Sequence, residues 1–124
     1  MSGHRIMAID DENIVGKMIK TVFEQDGYTV ETFQNPGTAL TRLKEEKFDV
    51  VITDLKMKDM DGMDVLKSIK KNWPETKVIM ITAFASLDAA VEAFRRHADD
   101  FFAKPLKISD LKACVQKLLS ENPS

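Results

Sequence analysis

Three acids, Asp10, Asp11 and Glu12, directly follow the apolar stretch Ile6 to Ile9, and another, Asp54, follows Val50 to Thr53. Thr82 ends the stretch from Val78, and Lys104 with Pro105 follows Phe101 to Ala103. Carboxylates gathered in a small volume repel one another and hold protons more tightly unless a cation neutralises them. Magnesium suits such a set, because it takes one or two protein carboxylates and completes an octahedral shell with water or phosphate oxygens. Asp11 and Asp54 are the candidates for direct ligation. An aspartate is also a nucleophile toward phosphorus, in a transfer that needs positioning and charge neutralisation more than covalent assistance. The Lys104 ammonium offers a point charge to phosphoryl oxygens, while the Thr82 hydroxyl and the Ala83 backbone N–H offer hydrogen bonds.

Each residue alone has an ordinary reading: Asp10 and Asp11 as helix caps, Thr82 as a strand-end hydroxyl, Lys104 as a solvated amine. Those readings do not explain why acids, hydroxyl and amine each stand at the end of a different apolar run, which is where open α/β sheets bind their ligands.

The elements that must position them follow from periodicity. Ile6 to Ile9, Val50 to Thr53 and Val78 to Ile81 are short, continuous and β-branched, as in parallel strands covered on both faces. Tyr28 to Phe33 alternates polar and apolar, which suits an edge strand, and Phe101 to Ala103 forms a short last one. Between them, helical spacing gathers Val15, Met18, Ile19 and Val22, then Ala39, Leu40 and Leu43, then Met63, Leu66 and Ile69. A fourth buried stripe is expected from Ala90, Val91 and Phe94, and a fifth from Leu111, Val115, Leu118 and Leu119. Asn35 and Pro36 read as cap and first residue of the second helix, Ser86 and Ser109 as caps of the last two, and Gly27 as the end of the first. Strict alternation with right-handed crossovers predicts a doubly wound α/β domain, with five parallel strands and five helices in one unit over residues 1–124.

Composition narrows the function. Hydrophobic residues at 44% and charged residues at 31% fit a globular domain rather than a disordered or membrane-embedded one. The net charge is -2 with lysines interspersed among acids, so direct nucleic-acid binding is not expected. Cys114 has no partner for an internal disulfide and lies on an apolar helical face, which reads as packing. Met1 to Arg5 form no signal-peptide hydrophobic region and no segment reaches the length of a membrane span, so a cytoplasmic location is expected.

The stretches IMAIDDEN, VVITDLKMKDMDGMDVL, VIMITA and FFAKPL together resemble the receiver domains of two-component response regulators, and the resemblance covers nearly the whole chain. DAAVEAF is similar to receivers that precede transcriptional activators of the NtrC type. The resemblance implies a flavodoxin-like sheet of order 2-1-3-4-5, with Asp54 as phosphoacceptor. It also implies magnesium held by Asp11 directly, Asp10 through water, Asp54 and the Lys56 carbonyl, with Thr82 and Lys104 on the phosphoryl group. A sensor histidine kinase or phosphotransfer protein is the implied donor, so the chain is a phosphoryl acceptor and not an enzyme acting on others. Thr82 and Phe101 are the implied switch residues, and Lys56 and Phe84 the residues that tune dephosphorylation. The surface of the fourth helix, fifth strand and fifth helix is the implied site of dimerisation or partner docking.

Two departures stand out: Lys58 replaces a usual proline, and His97 a usual glycine at the end of the fourth helix, where histidine tolerates a left-handed backbone. His97 and His4 are too isolated to suggest a metal site. Because Phe101 and Phe102 point to opposite faces, one of them is expected nearer the surface.

Competing readings are a magnesium-dependent aspartyl phosphatase, a flavin-binding domain and a phosphate-independent interaction module. Short connections leave no cap to enclose a phosphatase substrate. The DDEN loop would repel a flavin phosphate, and the complete acid set argues against a module without phosphate chemistry.

Overall fold

A computed structural model describes residues 3–58 and 60–120; residues 1–2, 59 and 121–124 of the expected 1–124 domain lie outside the described residues. The elements run β1 (Arg5–Ile9), α1 (Asn13–Glu24), β2 (Thr29–Phe33), α2 (Pro36–Glu45), β3 (Val50–Asp54), α3 (Gly62–Asn72), β4 (Lys77–Thr82), α4 (Leu87–Arg95), β5 (Asp100–Ala103) and α5 (Ile108–Ser120). The five strands form one parallel sheet in the order β2-β1-β3-β4-β5.

Alternation along the strands feeds two cores. Ile6, Ala8, Val50, Ile52, Ile79 and Ile81 pack with Ile19, Phe23, Leu111 and Val115 of α1 and α5. Met7, Ile9, Val51, Val78 and Met80 face Ala39, Leu43, Val65, Leu66 and Ile69 of α2 and α3. Because both faces are covered, the central strands read as unbroken apolar runs. Each fully buried Ile or Leu contributes roughly 1.5–3 kcal/mol of transfer free energy. Phe101 joins the α2–α3 core and Phe102 the α1–α5 core, both half-buried. The expectation that one of them lies nearer the surface is therefore corrected: alternation sends them to opposite faces, and a helix layer lies over each.

Local signals set the boundaries. Asn35 accepts from the Thr38 N–H and Pro36 opens α2; Asp61 accepts from the Met63 N–H at α3, and Ser86 from the Ala89 N–H at α4. Ser109 is not a cap, since α5 begins one residue earlier and places Ser109 inside its first turn. Gly27 and His97 close α1 and α4 in the same way, with positive φ of 91° and 73°. Gly27 N–H meets Glu24 O and Tyr28 N–H meets Phe23 O; His97 N–H meets Phe94 O and Ala98 N–H meets Ala93 O. This pair of reversed bonds satisfies carbonyls that a helix end leaves open.

One expected stripe is overturned. In α4 only Ala93 is buried, while Leu87, Val91 and Phe94 are 79%, 41% and 49% exposed. The helix rests on the sheet through its alanines and turns its large apolar side chains outward. Among the described residues no helix is long and apolar enough to cross a membrane.

Candidate functional site

Four strands deliver the site. β1 ends at Ile9 and hands on Asp10, β3 ends in Asp54, β4 ends in Thr82, and Lys104 follows β5. Parallel pairing puts these ends on one edge of the sheet: Asp54 lies opposite Ile81, and Thr82 opposite Ala103. The Lys104 N–H donates to Thr82 O at 2.8 Å, tying the last loop to β4, and the peptide bond from Lys104 to Pro105 is cis.

Lys104 is the centre of charge. Its Nζ lies 2.9 Å from Asp10 Oδ2, 2.9 Å from Glu12 Oε1 and 3.2 Å from Asp54 Oδ2. Asp10, Glu12 and Asp54 each offer an oxygen, all three within 4.8 Å of one another. The Asp10 carboxyl is 2% exposed, and burial raises its proton affinity. The Glu12 backbone N–H and Lys104 pull the other way, while the Asp54 charge adds to the rise. For Lys104, burial lowers the pKa, but the hydrogen bond to Glu12, the close ion pair with Asp10 and the charge of Asp54 outweigh it, so the ammonium is held above its ordinary value.

The remaining predicted residues surround this centre. Asp54 Oδ1 accepts from the Lys56 N–H at 3.3 Å. Asp11 is directed to the loop after β3, where Oδ2 accepts from the Lys58 N–H at 3.2 Å, so the carboxylate cluster comprises Asp10, Glu12 and Asp54 without Asp11. Thr82 is buried and its Oγ1 accepts from the Phe84 N–H at 3.0 Å, which leaves its own O–H free to donate. Ala83 and Phe84 are exposed on the rim, and Phe101 is half-buried beside Met80.

Two participants escaped the sequence reading. Glu12 appeared there only as a neighbour of the acid pair, yet its long side chain reaches Lys104. Gly62 was not singled out: a Cβ there would stand 2.3 Å from Asp54 O and 2.7 Å from Leu55 Cα, a clash that only glycine avoids. Its N–H donates to Leu55 O at 2.7 Å, so the start of α3 is drawn directly against the loop after β3.

The donor set fits a hard divalent cation. Asp10 Oδ2 is buried and has no hydrogen bond among the described residues, only the Lys104 ammonium at an ion-pair distance of 2.9 Å. A buried carboxylate oxygen in that condition is unfavourable unless a cation satisfies it.

Comparison with known proteins agrees with this geometry. Residues 6–116 match the family model of the response regulator receiver domain. The regulatory protein AtoC of Escherichia coli is 37% identical over 116 residues, which cover 94% of this chain and 25% of AtoC, so the chain spans about a quarter of that relative. Among solved structures, a CheY-like receiver domain protein from Methanospirillum hungatei superposes with a TM-score of 0.91 at 32% identity, covering 95% of this chain and 94% of its own. The beryllofluoride-activated NtrC4 receiver domain dimer gives 0.90 at 31% identity, covering 94% and 97%.

Proposed function

This chain belongs to the response regulator receiver domain family of two-component systems, and from that premise we propose that Asp54 accepts a phosphoryl group and passes the change to the α4–β5–α5 surface. The observation that carries the reading is the convergence of separate strand ends on one ammonium, with Lys104 Nζ in ion-pair reach of both Asp10 and Asp54.

In this reading an Asp54 carboxylate oxygen attacks the phosphorus of a phosphohistidine on a sensor histidine kinase or phosphotransfer protein. The new O–P bond forms as the donor's P–N bond breaks, and the electron pair stays on the imidazole nitrogen. Lys104 stabilises the charge on the transferring oxygens, and the Ala83 N–H and Thr82 O–H donate to them once Thr82 turns toward Asp54. Asp10, Asp54 and the Lys56 carbonyl would hold magnesium, joined by Asp11 once its carboxylate turns from the Lys58 N–H, and when bound the ion supplies further charge neutralisation. Thr82 and Phe101 form the switch, and Lys56 and Phe84, on the rim, govern the approach of water to the acyl phosphate.

The chain, one receiver domain over residues 1–124, acts in the cytoplasm as an acceptor rather than as an enzyme on other substrates. It binds no nucleic acid itself. The outward stripe of Leu87, Val91 and Phe94 supports α4–β5–α5 as the face for dimerisation or partner docking, and the NtrC4 receiver, of similar structure, is a dimer. The test is incubation with magnesium and a small acyl phosphate, followed by intact mass. One added phosphoryl group is expected, absent in Asp54→Asn; a gain that persists in that variant sinks the assignment of Asp54.

A further inference from the structure

We infer that Glu12 is a positioning residue that occupies Lys104 in the resting protein and must be displaced when a phosphoryl group reaches Asp54. The inference rests on the reading of Asp54 as phosphoacceptor and concerns which of its neighbours gives way.

An ammonium has three N–H donors, and Lys104 Nζ already faces three carboxylate oxygens, those of Asp10, Glu12 and Asp54. A phosphoryl group bound to Asp54 ends that carboxylate's charge and brings several anionic oxygens toward the same ammonium, more than the single N–H released by Asp54 can serve, so a second partner has to yield. Asp10 and Asp54 are fixed in place. Their side chains are 1% and 7% exposed, and each has its other oxygen held by a backbone N–H, from Glu12 at 2.8 Å and from Lys56 at 3.3 Å. Asp54 is the reacting group and stays beside the ammonium, while moving Asp10 would strand a charge in a poorly solvated site. The Glu12 side chain is 61% exposed and regains hydration by swinging outward. Charge favours the same outcome, because a phosphoryl dianion repels the Glu12 carboxylate while it attracts Lys104.

Glu12 therefore keeps the amine extended over the acids in the resting state, and it opposes the phosphorylated state by the strength of its own ion pair. An ion pair with one exposed partner corresponds to about a twofold to fivefold change in affinity. A different role, as a third carboxylate ligand of the metal, is chemically open to the same oxygen and predicts the opposite response to substitution.

The experiment uses beryllofluoride, a phosphoryl mimic, titrated at saturating magnesium into the wild-type chain, Glu12→Gln and Glu12→Asp, with amide chemical shifts as the readout. Magnesium alone is titrated into each by calorimetry. Both variants are expected to bind beryllofluoride about twofold to fivefold more tightly than wild type, since glutamine lacks the charge and aspartate is one methylene too short to reach Lys104. The aspartate variant, which keeps the charge, is expected to bind magnesium as wild type does. Equal or weaker beryllofluoride binding in both variants overturns the inference, as does a loss of magnesium affinity in both, which would make Glu12 a metal ligand. Tightening in the glutamine variant alone also overturns it, by showing a field effect without contact. If the wild-type chain takes up no beryllofluoride at all, the phosphoacceptor reading itself has failed.

Discussion

α3 and α4 are neighbours in sequence, similar in length and both amphipathic, yet they are attached to the sheet in opposite ways. α3 buries Gly62, Val65, Leu66 and Ile69 and is drawn against the acceptor loop by the Gly62 contact. α4 buries Ala93 alone and presents Leu87, Val91 and Phe94 to solvent. The first arrangement holds the loop after Asp54 against the start of α3, which in the proposed reading gives the acceptor the accuracy that in-line transfer needs. The second leaves a helix with little buried surface next to Thr82, where the proposed reading has a change at the site read out. Rigidity and looseness are thus divided between two consecutive crossovers of one sheet.

The contrast is broken most severely at Leu66. Leu66→Ala is expected to lower the unfolding free energy by about 2–5 kcal/mol, read from the urea midpoint; a loss within the range of a surface substitution would mean that α3 is no more tightly seated than α4. Phe94→Ala sharpens the same comparison from the other side. Its stability should move by less than about 0.5 kcal/mol, while self-association of the beryllofluoride-treated protein, followed by sedimentation, should weaken. A large stability loss there would place Phe94 in the core after all.

The smallest effect lies in the Glu92–Arg96 pair on α4. The hydrogen bond from Arg96 holds Glu92 below the ordinary value of 4.5, so its stabilising contribution is complete above that pH and is lost as pH falls through the depressed value. Glu92→Gln should remove this part of the acid dependence of α4, seen as hydrogen exchange in α4 that no longer accelerates below pH 4.5 relative to α3. An unchanged acid profile would show that the pair does not hold the helix.

Much of this was legible beforehand. Unbroken β-branched runs marked the central strands because burial on both faces leaves no polar alternation to read, and Asp10, Asp54, Thr82 and Lys104 were visible because strand ends of a parallel sheet share one edge. The direction of α4 was not legible: periodicity reveals that an apolar stripe exists, but the small side chains of Ala89 and Ala93 decide which side lies on the sheet. Ser109 misled because α5 starts a residue earlier than its best capping side chain. Gly62 could not be singled out, since its necessity arises from a backbone that approaches it only in the folded chain. Glu12 stood in the sequence only as the acid after Asp10 and Asp11, and its role comes from the reach of an otherwise exposed side chain to Lys104, which adjacency does not reveal.

The order in which the site's parts are synthesised has its own consequence. Glu12 and Asp54 are made early, but their shared amine, Lys104, lies 92 and 50 positions further along the chain. Every ladder of the sheet likewise joins strands separated by at least one whole helix, so none can close as a local hairpin, and such non-local pairing folds late. A nascent or truncated chain ending before β5 carries Asp54 without Lys104, the cation that in the proposed reading stabilises the phosphorylated product. On that reading, competence to take a phosphoryl group becomes a certificate of completed manufacture, issued by the last strand to arrive.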